Sequence, residues 1–413
     1  MKVVFLNSYE TIGGASKATL RILKALSSNE NLEVRMLVKR KQTDNSLIHA
    51  YETCMIKINT LIEKLLKRIF VKSSETDFSF SILQSSNIAE KINALDPDIV
   101  HINWVNDGFI QIRDLKKIKK PILWTLHDDW PFTGGCHVTD ECKNYIHSCQ
   151  NCPVLKKGVR NNLAEKVLIE KNLNFDSCNI SINCPSKWLF KKSKQSYLFR
   201  DLFHSNIPNP IDADKFAKNV KQNLFGATAD KKKIILFGAH DFISNKNKGF
   251  DILDKTLQAL NPEEFKLVTF GSKKALDCNS FAYEVIDLGY IDDENDLINL
   301  YSSCDFCVVP SRQENFSNII LESLSCSLPV IAFNVGGNSD LIHHKKNGYL
   351  CQSYQIESLK EGLLWMLNNC CLEELSEYGA AHVRKNFSFE IISEKYHQLY
   401  QDILVSQRNA ASE

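Results

Sequence analysis

In this 413-residue chain, two glutamates and a lysine have the types and spacing best suited to holding a ligand. Glu314 and Glu322 lie eight positions apart in PSRQENFSNIILESLSCSLPVIAFNVGG, residues 310–337. The apolar run Phe306–Val309 reads as a buried parallel strand. Pro310-Ser311 ends it where open α/β sheets place ligand loops. Asn315–Cys326 reads as a helix, so Glu314 stands at its mouth and Glu322 about two turns deeper. Such a pair can grip different parts of one elongated ligand. Glutamates at this spacing also occur on solvated helix faces, but here a strand end precedes them and a strand, Pro329–Phe333, closed by Gly336-Gly337, follows. That setting favours a binding site.

Lys248, in Lys248-Gly249-Phe250 before a helix over Asp251–Leu260, can pair with diphosphate oxygens; the ordinary reading is a solvated lysine beside Lys246. Gly13-Gly14 follows the first strand and opens a helix, which lets backbone N–H groups approach a phosphate or sugar, although a plain tight turn has the same composition. The pattern G-x-G-x-x-G of dinucleotide sites is absent. His127, followed by Asp128 and Asp129, ends another strand. Two D-x-D patterns, Asp96-Pro97-Asp98 and Asp212-Ala213-Asp214, suggest a divalent cation. Both read as decoys, one capping a strand and one trailing a proline pair, and no catalytic metal is expected. Cys136, Cys142, Cys149 and Cys152 fall within seventeen residues. A structural zinc, free thiols and two labile disulfides all remain open, with His137 or His147 able to replace a thiolate.

Positioning these groups takes two domains, which the length suits. The first half alternates strands at Val3–Leu6, Val34–Val38, Ile99–Ile102, Ile122–Leu126 and Asn179–Asn183 with helical stretches, beginning at Ala15–Leu26. The second half repeats this with Lys233–Phe237, Lys266–Phe270, Val285–Leu288, Phe306–Val309 and Val330–Phe333. Such alternation means two parallel α/β sheets. Ile207-Pro208-Asn209-Pro210-Ile211-Asp212 between them reads as the hinge. The balance of 50 basic and 49 acidic residues gives no bulk charge for nucleic acid. No 18-residue apolar stretch or signal-peptide core appears, so a cytoplasmic protein with reduced cysteines is expected. Residues 56–72, IKINTLIEKLLKRIFVK, form a basic amphipathic helix. Its apolar stripe is expected to face the core; docking on a membrane surface is the alternative.

The 310–337 segment resembles the retaining glycosyltransferases of family 4, with Pro-Ser, a glutamate, seven residues, a second glutamate, then Pro-Val and a Gly-Gly turn. Ser327 stands where that family usually has glycine. The resemblance covers almost the whole chain, through Gly13-Gly14, Pro97–His101, Pro208–Pro210 and Lys248-Gly249. It implies the GT-B architecture: two Rossmann-like domains facing an interdomain cleft, with residues 1–206 on the acceptor side and 207–388 holding the nucleotide sugar. Residues 389–413 would form a helix crossing back to the first domain.

By that resemblance Gly14 closes over the donor diphosphate or the acceptor. Lys248 and the amides of Phe316, Ser317 and Asn318 hold phosphate, in the absence of an arginine that many members carry where this chain has His240 and Asp241. Gly289, Tyr290 and Ile291 border the base, Glu322 accepts from the ribose, Glu314 orients the transferred sugar, and His127 contacts sugar or acceptor near the anomeric carbon. Thr133-Gly134-Gly135-Cys136-His137, in the cysteine-rich insertion 130–153, resembles that of colanic-acid-type polymer glycosyltransferases. The implied reaction moves a sugar, with retention, from a nucleotide diphosphate sugar to a glycan or lipid-linked glycan acceptor in bacterial surface-polysaccharide synthesis. It would run in the cytoplasm or at the inner face of the plasma membrane. The competing readings are a sugar-nucleotide epimerase of similar architecture and a non-catalytic scaffold stabilised by zinc.

Overall fold

A computed structural model describes residues 1–72, 77–159, 162–218, 224–225, 232–368 and 371–412. The chain divides into two compact units, one made of Met1–Pro210 with Ile392–Glu413, the other of Ile211–Ile391. The division falls just after the proline pair Pro208 and Pro210, where neither a helix nor a central strand can continue.

Among the described residues the first unit holds seven strands: β1 (Lys2–Tyr9), β2 (Glu33–Arg40), β3 (Ile48–Ala50), β4 (Ile99–Ile102), β5 (Ile122–Thr125), β6 (Ile180–Asn183) and β7 (Phe203–Ser205). Their order is β3-β2-β1-β4-β5-β6-β7, and every pairing is parallel. Val3, Val4, Phe5 and Leu6 are all buried, because helices cover both faces of a parallel sheet. The strand order reverses between β1 and β4, so the loops leaving these strands diverge and open a crevice at their carboxyl ends. The C-terminal helix, Phe389–Ser412, buries Ile392, Tyr396, Leu399, Tyr400 and Ile403 in one cluster with Val3, Phe5, Ile99 and Leu123. His101 on β4 meets Tyr400 Oη through Nδ1 at 2.7 Å and Thr125 Oγ1 through Nε2 at 2.8 Å.

The second unit holds β8 (Lys233–Gly238), β9 (Phe265–Phe270), β10 (Val285–Asp287), β11 (Phe306–Val309), β12 (Val330–Phe333) and β13 (Gly348–Cys351). The order β10-β9-β8-β11-β12-β13 is again wholly parallel, reversing between β8 and β11. Three short strands, β3, β7 and β13, are absent from the sequence reading; each has three or four residues, too few to show a period.

The Cys54–Phe70 helix differs most from expectation. It buries Ile56, Asn59 and Glu63, while Ile58, Leu61, Ile62, Leu65 and Ile69 are exposed. The core-facing stripe predicted for residues 56–72 is therefore corrected: the aliphatic side faces outward. The inward side is held by polar bonds, Asn59 Nδ2 to Gln84 O at 2.8 Å and Phe80 N to Glu63 Oε1 at 2.6 Å.

Candidate active site

In the second unit the helix after β11 runs Asn318–Ser325, with Ser317 as its N-cap. Residues 315–317, read from sequence as its first turn, instead form the approach to the cap, so Phe316, Ser317 and Asn318 stand at the positive end of the helix. Phe316 and Ser317 are themselves buried.

The segment before that cap is clamped at Glu314. Its carbonyl accepts from Gly337 N at 3.1 Å, and a Cβ on Gly336 would lie 1.6 Å from the same oxygen. Gly336 has φ of 55°, so both its missing side chain and its left-handed backbone are required for this approach. The Glu314 side chain accepts from Lys248 Nζ at 2.8 Å. Lys248 is brought there because Gly249, at φ of 72°, lets the backbone pack on Pro310 O, which a Cβ would reach at 1.9 Å. The two groups read separately from sequence thus form one partly buried ion pair. Arg312, in the same loop, is committed elsewhere: its guanidinium forks onto Asp251 at 3.0 and 2.7 Å.

Glu322 is buried one helix face deeper, and Tyr301 Oη donates to its Oε2 at 2.7 Å. Burial and the adjacent carboxylate push the Tyr301 phenol well above its ordinary range, so it stays a donor. A carboxylate retains further acceptor capacity beyond that bond. Tyr301 was missed from sequence, since one tyrosine on an amphipathic helix looks like core. After β10, the 288–291 loop leaves Leu288 and Tyr290 exposed and Ile291 half-buried, with Gly289 O accepting from Gly271 N at 2.7 Å. His240 stands edge-on to Tyr290, ring centroids 6.4 Å apart.

In the first unit, Gly14 lies in the first turn of the Gly13–Ser27 helix after β1, and Ser16 Oγ of that helix accepts from Asn7 Nδ2 at 3.1 Å. His127, beyond β5, meets Asn103 Oδ1 at 2.9 Å and Thr19 Oγ1 at 3.4 Å, both through Nε2. Facing an amide oxygen, Nε2 carries the proton. Burial lowers the His127 pKa to about 4, against the pull of Asp128, so the ring is a neutral donor at physiological pH. The loop ends of β1, β4 and β5 thus gather Gly14, Asn103 and His127 at the carboxyl edge of one sheet.

The two acids after His127 are structural anchors. Burial alone would raise Asp128, but His137 at 2.6 Å, Trp104 Nε1 at 2.8 Å and Trp130 N at 2.9 Å hold its carboxyl below the usual range. His137 Nε2 in turn meets Ser79 Oγ at 2.8 Å. This Ser-His-Asp chain is no nucleophile, because Ser79 is wholly buried. Asp129, raised by burial, holds Lys192 at 2.6 Å. Lys171 sits 3.7 Å from the Trp130 ring and donates to Thr133 O at 2.9 Å, with burial lowering its ammonium pKa to about 7.

Cys136, Cys142, Cys149 and Cys152 are all free thiols. Burial pushes Cys136 well up and Cys149 up to about 12, and neighbouring cysteines add to both shifts. Cys149 Sγ accepts from Gly134 N at 3.2 Å. Among the described residues no three His, Cys, Asp or Glu side chains stand together as metal ligands. Burial thus favours the neutral thiol at Cys136, Cys149 and Cys152. A separate cavity of about 450 Å³, lined by Ser27, Leu32, Arg35 and His49 among others, contains none of the candidate residues.

Residues 231–369 match the family of glycosyl transferases group 1. The chain is 26% identical over 320 residues to the putative colanic acid biosynthesis glycosyl transferase WcaC of Escherichia coli, covering 74% of this chain and 75% of that one. An uncharacterized glycosyltransferase of Haemophilus influenzae is 32% identical over 146 residues, 34% of this chain and 40% of that protein. Sucrose-phosphate synthase from Thermosynechococcus elongatus shares the fold with a TM-score of 0.72 at 15% identity, covering 98% of this chain and 99% of that one. Anabaena HepE, solved with UDP-glucose, follows at 0.66 and 14%, with 97% and 100% covered. With two Rossmann-like parallel sheets the chain has the GT-B fold, and the segment bearing the Glu314–Lys248 and Glu322–Tyr301 pairs is the one similar to glycosyl transferases of group 1.

Proposed function

We propose that the second unit binds a nucleotide diphosphate sugar and that the enzyme passes the sugar, with retention, to a glycan or lipid-linked glycan during bacterial surface-polysaccharide synthesis. The observation that carries the donor reading is the pair of differently tethered carboxylates on one loop and helix: Glu314 against a lysine, Glu322 against a tyrosine. Glu322 accepts from the ribose hydroxyls while Tyr301 fixes its orientation. Lys248 and the amide end of the Asn318–Ser325 helix take the diphosphate, a combination of cation and helix dipole suited to that charge. The Gly289–Ile291 loop borders the base. Glu314, drawn off Lys248 when phosphate arrives, orients the transferred sugar.

The acceptor reading draws on the similarity to WcaC, and the donor reading on UDP-glucose in HepE. Neutral His127 contacts sugar or acceptor near the anomeric carbon; Gly14 closes over the donor diphosphate or the acceptor. No side-chain nucleophile and no catalytic metal enter this scheme, whose catalysis is positioning and charge stabilisation. The enzyme would work in the cytoplasm or at the inner membrane face. A structural zinc on Cys136, Cys142, Cys149 and Cys152 is a separate element of the proposal, and elemental analysis of protein purified without chelator decides it.

Calorimetry with UDP, GDP and their sugars tests the donor site. Glu322→Ala should weaken nucleotide binding by about 1.5 to 3 kcal/mol, the range for hydrogen bonds to a charged group. Unchanged affinity would remove Glu322 from the ribose. The anomeric configuration of the product, read by NMR, decides retention.

A further inference from the structure

The Cys54–Phe70 helix carries its apolar side outward. Ile58, Leu61, Ile62, Leu65 and Ile69 recur at intervals of three, one, three and four residues, which places them on one face. Their exposures are 46%, 68%, 38%, 56% and 47%. Scattered single aliphatics at a surface need no explanation, but five on one helical stripe form a contiguous patch. The same helix buries Asn59 and Glu63, so its polar side has been turned into the protein. Inversion of this kind exposes aliphatic area to water unless something apolar covers it.

Charge identifies the covering surface. Lys57, Lys64 and Arg68 recur at intervals of seven and four, forming an exposed basic row beside the stripe. The helix's one acid, Glu63, is buried and bonded by the N–H groups of Phe80 and Ser81, at 2.6 and 3.2 Å, and so does not offset them. At the helix C-terminus the neighbouring chain adds more positive charge. Lys72 N bonds Val154 O at 3.0 Å and Lys156 N bonds Phe70 O at 2.8 Å, which brings exposed Lys72 and Lys156 alongside Arg68. The chain as a whole is nearly neutral, with 50 basic and 49 acidic residues, so this concentration is local. An aliphatic stripe flanked by lysines and arginine matches a bilayer surface, where the alkyl groups enter the acyl boundary and the cations meet anionic headgroups. A second copy of this chain would present the same exposed basic row, with the helix's one acid, Glu63, buried away from it. No helix among the described residues is long and apolar enough to cross a membrane, so the contact is a lateral one.

We propose that the outward face of the Cys54–Phe70 helix docks this enzyme on an anionic lipid surface, with Ile58, Leu61, Ile62, Leu65 and Ile69 inserted and Lys57, Lys64 and Arg68 on the headgroups. This inference stands on the first unit alone and does not depend on the donor reading. The experiment is co-sedimentation of the full chain with vesicles of phosphatidylcholine, or of phosphatidylcholine mixed with phosphatidylglycerol. The wild type should bind the mixed vesicles and bind pure phosphatidylcholine at least about tenfold more weakly, with added salt reducing binding to the mixed vesicles. Leu61→Ser combined with Leu65→Ser should lower binding to mixed vesicles about tenfold or more. Lys57→Glu with Lys64→Glu should do so as well, most strongly at low salt. All four side chains are exposed, so circular dichroism and melting should match the wild type, separating loss of docking from loss of fold. Equal sedimentation of wild type and both variants would overturn the proposal, as would failure of the wild type to bind mixed vesicles. A wild-type dimer in light scattering that the leucine variant dissolves would assign the face to a second copy instead. Failure here would leave nucleotide binding untouched, and failure of the nucleotide site would leave docking untouched.

Discussion

Glu314 shows how much of this site rests on single backbone contacts. Its carbonyl lies where a Cβ on Gly336 would fall, and its carboxylate pairs with a lysine 66 positions earlier. Lys248 is consequently shared between a protein carboxylate and, on the proposed reading, the donor phosphates. Lys248→Ala should weaken a nucleoside diphosphate by tenfold or more, about 1.4 kcal/mol or above, while leaving the bare nucleoside nearly unchanged. Titration calorimetry with both ligands checks this, and equal losses for the two would place Lys248 outside the phosphate site.

At the scale of the element, the Asn318–Ser325 helix ends in a manner that explains an odd residue. Leu328 N bonds Ser323 O at 2.8 Å and Ser327 N bonds Leu324 O at 3.1 Å, the paired bonds of a Schellman motif. Ser327 occupies the left-handed position at φ of 59°, where glycine avoids the clash of a Cβ. Ser327→Gly should therefore stabilise the second unit by roughly 0.5 to 1 kcal/mol, the relief of a strained residue less the greater freedom glycine has when unfolded. Thermal unfolding reads it as a rise of a few degrees, and a fall in melting temperature would contradict the strain argument. The Cys54–Phe70 helix teaches the opposite lesson, since periodicity measures amphipathicity and is silent on which face turns inward.

For the whole molecule, the first unit is closed by residues from both ends of the chain. His101 on β4 and Tyr400 on the last helix are 299 positions apart and hydrogen-bonded inside the core. Burial lowers the His101 pKa to about 3, and burial likewise lowers those of His127 and His204 to about 4. A histidine with a depressed folded pKa stays neutral in the native state while the unfolded chain takes up a proton below about 6.5. Stability from these groups is full above that pH and is lost as pH falls from 6.5 toward 4. Asp128, held below its ordinary range, contributes its loss only at lower pH. Melting temperature should accordingly decline between pH 6.5 and 4.5, and His101→Gln should show a shallower decline over the same window. Parallel slopes in the two proteins would mean that His101 does not carry this linkage.

Much of the molecule was legible in the chain as a sequence. Strands such as Phe306–Val309 and Val330–Phe333 lie where their apolar runs are, because a strand covered on both faces must be apolar throughout. The candidate donor residues were legible too, since Pro-Ser, two glutamates and Gly-Gly follow one another on one strand, loop and helix. What lay beyond reach were contacts made across sequence: Tyr301 on Glu322, Asn103 on His127, and the Lys248–Glu314 pair, whose members come from different crossovers. The outward turn of the Cys54–Phe70 helix belongs with them. Local sequence determined the period, the turn chemistry and hence the elements; only packing decided which side of the helix met the core, because Asn59 and Glu63 found buried partners and the aliphatics on the opposite side did not.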